Sequence, residues 1–155
     1  MNANHSDNQD KAIIDGFLKA HRFTTQTQRE LAEWLPEIAI RENVSASDII
    51  NSENIQSILK SEKLNNPQKH QKIRDELYKK RFPEYSKLQE KWKKTAASAN
   101  PAPSKIRFIP SPAFEKKHLE IRLTIKSAEE AKELLNALSK IEPRVLDELL
   151  WPRVE

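Results

Sequence analysis

A single glycine, Gly16, stands in a chain of 155 residues. Glycine is the residue that turns at positive φ and lets a backbone approach a phosphate closely, so its scarcity narrows what the chain can build. A Walker loop, a dinucleotide fingerprint and a nucleophile elbow each require several glycines. None of these can be assembled here. The complete lack of cysteine removes a disulfide framework, a thiolate metal site and a cysteine nucleophile in the same way.

Apolar residues make up 37% of the chain and charged residues 32%, against about 45–50% and 25% in ordinary globular domains. A lean core under a highly charged surface follows, with part of the chain read as tail or linker. No run of about 18 apolar residues exists, and the polar start MNANHSDNQDK lacks the apolar stretch of a secretory signal. The expectation is a soluble protein of a reducing compartment, the cytoplasm, with no membrane partner.

The net charge of +4 conceals a strong segregation. Residues 1–66 hold 7 basic and 10 acidic groups, residues 67–94 hold 10 and 4, residues 105–126 hold 6 and 2, and residues 127–155 hold 4 and 7. A positive block thus lies between acidic flanks. Such a block suits a polyanion, because each Lys or Arg near a phosphate releases condensed counterions. The plainer explanation of any one charge run is a solvated helix face.

After a predicted disordered tail at residues 1–9, Ile13, Ile14, Phe17, Leu18 and His21 fall on one helical stripe. His21 is expected to pack there as a half-buried ring, since no second ligand stands at metal spacing. Thr27 with Glu30 forms a capping-box pattern ahead of Leu31, Trp34, Leu35, Ile38 and Ala39, and Pro36 predicts a kink or restart near Trp34 and Leu35. Ser47 and Ser52 are candidate N-caps for short helices beyond. Residues 35–54 can be compared with a helix-turn-helix, but Asn43 replaces the usual turn glycine, and Asp48 and Glu53 would face the phosphates. A small packing or partner-binding helical unit is the better expectation.

Asn66 and Pro67 read as an N-cap followed by proline at the first helical position. That helix should extend to Arg81 or Phe82, with Ile73 and Leu77 inward. Ser86 and Gln89 read as another capping box, opening KLQEKWKK, where Leu88 and Trp92 lie one turn apart among lysines. The helical region is therefore placed at residues 10–94, with a basic second half. Residues 95–104 (TAASANPAPS), uncharged and rich in Ala, Ser and Pro, read as a semi-extended linker.

Residues 105–155 read as a ββαα module. Leu119, Ile121, Leu123 and Ile125 alternate with Glu120, Arg122, Thr124 and Lys126, which is the clearest strand pattern in the chain. Ile106 and Phe108 supply an antiparallel partner across a long loop. Ser127 with Glu130 caps a helix burying Ala131, Leu134, Leu135, Leu138 and Ile141, and Pro143 opens a last helix carrying Val145, Leu146, Leu149, Leu150 and Trp151. The fold class expected is mainly α with a small α+β C-terminal module, an antiparallel β-hairpin plus two helices. An isolated two-stranded hairpin is marginal in water and has open edges, so pairing with a second copy into a homodimer is the economical solution.

Residues 86–141, a lysine-rich helix, a strand, a lysine-containing loop and then HLEIRLTIKSAEEAKELLNAL, resemble the C-terminal domain of ParB-type partition proteins. The resemblance implies a dimer with a shared sheet whose lysine face holds DNA without sequence preference. Residues 1–85 show neither the nucleotide-binding arginine motif nor the central DNA-reading helices of that family.

The four histidines, His5, His21, His70 and His118, are dispersed, and the carboxylates lie mostly among lysines. No enzyme, cofactor or metal site is expected. The leading expectation is a non-enzymatic, dimeric protein that binds nucleic acid, DNA before RNA, through its phosphates. The contacts assigned are Lys69, Lys72, Arg74, Lys79, Lys80, Arg81, Lys87, Lys91, Lys93 and Lys94, with Arg107, Lys116, Lys117 and Arg122 as a second patch. The alternative is a protein-protein adaptor or regulatory subunit that docks its acidic and basic helices on a partner.

Overall fold

The computed structural model describes residues 3–153, with side chains from Asn8 onward. Helices dominate, and one small antiparallel sheet lies near the C-terminus. The mainly α class with a small α+β module is therefore the architecture of the chain. It divides into two compact units, one up to Pro83 and one from Glu84.

The first unit contains α1 (Ala3–Ala20), α2 (Thr25–Glu42), α3 (Ala46–Ile50), α4 (Glu53–Lys60) and α5 (Asn66–Arg81). Its core joins Ile14, Phe17 and Leu18 of α1 to Leu31, Trp34, Leu35 and Ile38 of α2 and to Ile73 and Leu77 of α5. Leu31, Leu35, Ile38 and Ile73 are fully buried. Burial of this apolar surface is what holds helices that would be marginal alone. His21 is half-buried beside Phe17 and Phe23, at ring distances of 5.0 and 6.3 Å.

Several predicted boundaries are corrected here. Residues 1 and 2 of the expected tail lie outside the described residues, as does the side chain of His5, but Ala3 to Asp10 are already helical. No proline or glycine interrupts that segment, and Asp10 Oδ2 accepts from the Ala46 amide at 3.3 Å. α2 continues through Pro36 as one element, so of the expected kink or restart the restart does not occur. The cap of α2 is Thr24, which accepts from the Thr27 amide, and that of α3 is Ser45, in a reciprocal box with Asp48. α5 begins one residue earlier than expected, with Asn65 as its cap in a box with Gln68.

The stretch compared with a helix-turn-helix becomes the end of α2, a five-residue α3 and the start of α4. α3 buries Ala46, Ile49 and Ile50 and spends Asp48 on its cap. With those residues inward, this five-residue helix leaves Asp48 as its exposed side chain, an acid that would face the phosphates of a groove.

The second unit contains most of α6 (Pro83–Ala99), then β1 (Ile106–Pro110), β2 (Leu119–Leu123), α7 (Ala128–Ser139) and α8 (Pro143–Leu150). β1 and β2 pair antiparallel with Ile106 opposite Leu123, Phe108 opposite Ile121 and Arg107 opposite Arg122. Trp92, Ala96, Ile106, Phe108, Leu134 and Leu149 form the core. The buried Trp92 indole donates to the Leu149 carbonyl at 3.0 Å, tying α6 to the end of α8.

α6 therefore belongs to the C-terminal core, and the boundary predicted at 94 is misplaced. Thr95 to Ala99 are helical rather than linker. Alanine has the highest helix propensity and proline enters only at Pro101, so an Ala/Ser composition extends the helix. The turn beyond is pinned by Asn100, whose side chain donates to the Ile106 carbonyl at 2.7 Å and accepts from the Ala102 amide at 3.0 Å. Ser86 does not cap a new helix; it is buried within α6, and its hydroxyl has no hydrogen-bond partner.

With glycine almost absent, other residues adopt positive φ: Arg22, Asn43, Ala113 and Phe114. Asn43, the C-cap of α2, is an ordinary choice for a left-handed cap. Ala113 and Phe114, in the 3-10 turn between the strands, carry the steric cost that glycine would avoid. The loop is closed by the buried Ser111, whose hydroxyl donates to the Lys116 carbonyl at 2.8 Å and accepts from the Lys116 amide at 3.2 Å.

Candidate nucleic-acid interface

The basic residues separate into two chemical situations. On α5, Arg74 makes a two-pronged contact with Glu30 of α2, Nε to Oε2 at 2.6 Å and Nη2 to Oε1 at 3.2 Å. Its guanidinium also lies 5.4 Å from the Trp34 ring. The hydrogen bonds from Arg74 hold the Glu30 carboxyl below its ordinary pKa and raise that of Arg74. Arg81 pairs with Glu37, and Lys80 with Glu42 at 3.4 Å. In return, Arg41 of α2 donates to the carbonyls of Lys80 and Arg81 at the end of α5.

The spacing explains this seam. Glu30 and Glu37 are two turns apart on α2, as are Arg74 and Arg81 on α5, so both pairs fall on facing rows. Lys69 is half-buried and donates to the Leu59 carbonyl at 2.9 Å, and Lys79 lies 3.7 Å from Glu76. Lys72 is exposed with no side-chain partner among the described residues.

On α6, Lys87 contacts Glu84 at 3.0 Å, and Lys91 donates to the Arg153 carbonyl at 3.0 Å. Lys93 and Lys94 are exposed without a side-chain partner among the described residues. The same is true of Arg107 on β1 and of Lys116 and Lys117 in the loop before β2. Arg122 stands opposite Arg107 in the sheet and contacts Glu120 on its own strand. Arg107, Lys116 and Lys117 are thus the cations of the second patch that carry no internal partner.

Three sequence expectations for the second unit are corrected. Leu135, expected inward on α7, is 57% exposed, and Trp151, grouped with the apolar residues of α8, follows that helix and is 41% exposed. Ile125 lies beyond the end of β2 and is 48% exposed. Three basic residues outside the assigned set have structural or surface roles. Lys105 pairs with Glu130, which also accepts from the Lys126 amide at 2.6 Å, while Arg144 and Arg153 lie near Trp151 around one open cleft. Lys105 and Glu130 are too far apart in sequence for spacing to mark their pair, whereas Arg144 stands one helical turn from its partner Glu148.

Among the described residues, no group of three or more His, Cys, Asp or Glu side chains is placed to hold a metal ion. No described helix is long and apolar enough to cross a membrane. Comparison with protein-family models, with curated proteins and with solved structures finds no match.

Proposed function

We propose that the protein is a non-enzymatic nucleic-acid-binding protein that holds the phosphate backbone through its second unit. The observation that carries this reading is the exposure of Lys93, Lys94, Arg107, Lys116 and Lys117 without internal carboxylate partners. A cation already paired must break its pair before meeting a phosphate; an unpaired one gains affinity from counterion release alone. The contacts proposed on α5 are thereby reduced to Lys72, with Arg74, Lys80 and Arg81 serving the α2 seam. Backbone contacts of this kind fix position and carry no base sequence information.

The homodimer remains part of the proposal. Among the described residues the sheet has two strands, and Ile121 on β2 and Ile125 just beyond it leave apolar surface exposed. An open edge of that sort pairs readily with a second chain. The order of elements in this unit, a lysine-rich helix, a hairpin and a leucine-bearing helix, is also the order on which the resemblance to ParB-type C-terminal domains rests. Sedimentation at micromolar concentration should report a dimer, and a strict monomer overturns that part.

An adaptor role draws on a different observation. Ile40 is 81% exposed near the end of α2, with Val44 also exposed four residues on. Duplex DNA and salt separate the readings. Under the proposal, binding falls steeply between about 50 and 200 mM salt, and replacing Lys93 and Lys94 by Glu weakens it. Absence of binding at low salt, or indifference to salt, leaves the adaptor reading.

A further inference from the structure

An open cleft of about 830 Å³ in the second unit brings together Lys91 of α6, Lys117 of the hairpin loop, Arg144 of α8 and Arg153. Trp151 shares the same lining. Two carboxylates belong to it as well: Asp147, and Glu148, which lies 3.7 Å from Arg144. Lys91 is engaged with the Arg153 carbonyl and Arg144 with Glu148, which leaves Lys117 and Arg153 as the exposed cations of the lining without a carboxylate partner among the described residues.

Trp151 is exposed, yet its backbone is fixed from both sides. Its amide donates to the Asp147 carbonyl at 3.0 Å, Leu149 just before it is fully buried and receives the Trp92 indole, and Pro152 just after it is buried. Lys91 then anchors the Arg153 carbonyl to α6. A large aromatic ring is thus presented to solvent on a short, doubly anchored segment. With 41% of its surface exposed, it forgoes part of a tryptophan's burial energy, and a ligand for the exposed part of the ring is the physical complement.

Resting on the nucleic-acid reading above, we propose that this cleft is a base-stacking site for single-stranded nucleic acid. One base stacks on Trp151, and the adjoining phosphates meet Lys117 and Arg153. The mixed charge of the lining favours this over a bare polyanion: Asp147 and Glu148 repel a ligand that brings only phosphates, whereas a ligand with a π-face gains the tryptophan as well. In a duplex the bases are stacked on one another, and their faces are unavailable to the ring.

The test measures fluorescence anisotropy of a labelled oligothymidylate and of a duplex of equal length with the full chain. Trp151→Ala should weaken oligothymidylate binding about 5- to 150-fold while changing duplex binding less than about twofold. Trp151→Phe, which retains a stacking face, should recover most of the loss. Quenching of intrinsic fluorescence by the oligonucleotide should also vanish in Trp151→Phe, because Trp34 and Trp92 are buried. Equal losses on both ligands, no loss on either, or competition by inorganic polyphosphate as effective as by oligothymidylate each overturns the stacking site. Salt-sensitive duplex binding with no single-strand binding overturns this inference alone; no binding to either overturns the nucleic-acid reading with it.

Discussion

Arg74 and Lys93 carry the same charge in neighbouring basic helices, yet they do different work. In the first unit the cations of α5 meet carboxylates of α2, and the seam sits over a core whose large side chains are fully buried. In the second unit Lys93 and Lys94 of α6 and Arg107, Lys116 and Lys117 of the hairpin are exposed without a carboxylate partner among the described residues, and Leu135, Ile125 and Trp151 remain exposed around a smaller core. The contrast shows that a run of lysines and arginines acquires its role from where the acids stand. One unit uses its charge to fix helix against helix; the other leaves it available for a partner.

The largest effects should appear when each core is opened separately. Leu35→Ala should cost about 2–5 kcal/mol in the first unit, and Leu149→Ala a similar amount in the second. Scanning calorimetry of the full chain should show each substitution lowering one transition and sparing the other. A single transition moved by both would join what the comparison separates.

Arg74→Gln removes the partner of a half-buried carboxylate and the cation over Trp34, and should cost about 1–3 kcal/mol in a denaturant titration. Binding to duplex DNA at fixed salt should be unaffected. Lys93→Glu with Lys94→Glu should give the opposite pattern, weaker binding at unchanged stability.

Ala113→Gly relieves a positive φ in the hairpin loop and should raise the stability of the second unit by about 1 kcal/mol or less. The melting temperature of that unit is the readout. A fall would mean that the lost entropy of the unfolded chain outweighs the strain.

The smallest effects concern pH, and two groups of the first unit illustrate them. The Arg74 hydrogen bonds lower the folded-state pKa of Glu30, so this pair's contribution is complete above the ordinary carboxylate value and is lost as pH falls through the folded one. Burial, reinforced by the nearby charges of His70 and Lys69, lowers the pKa of His21. Its neutral form is therefore favoured by folding, and stability should decline as pH drops below the ordinary histidine value of about 6.5. His21→Gln should flatten the upper part of that decline, and Arg74→Gln the lower part, in stability measured against pH.

Apolar periodicity made much of this fold legible. The stripe Ile14, Phe17 and Leu18, the inward pair Ile73 and Leu77, and the inward Ile106 and Phe108 all pack as their spacing indicated. Boundaries were harder to read because caps compete locally: Asn65 and Asn66 are both competent, and only the Gln68 side chain reaching back selects the first. Residues 95–99 misled because Ala and Ser suit both a linker and a helix; Trp92 and Ala96 packing into the second core decide for helix. In the candidate site, charge density was visible but charge pairing was not. Glu30 and Arg74 are 44 positions apart, and the matched seven-residue spacings of Glu30 with Glu37 and Arg74 with Arg81 become a signal only when α2 and α5 are known to face one another.

The central claim is that phosphates are held by the unpaired cations of the second unit and not by the paired ones of the first. It is tested by the slope of log affinity against log salt for duplex DNA, compared between Lys116→Glu with Lys117→Glu and Lys80→Glu with Arg81→Glu. Each phosphate contact contributes about 0.9 to that slope. The first pair should reduce it by about 1.8, on that same count of 0.9 per contact, and the second should leave it unchanged while lowering stability. An unchanged slope for the first pair and a reduced one for the second would contradict the account.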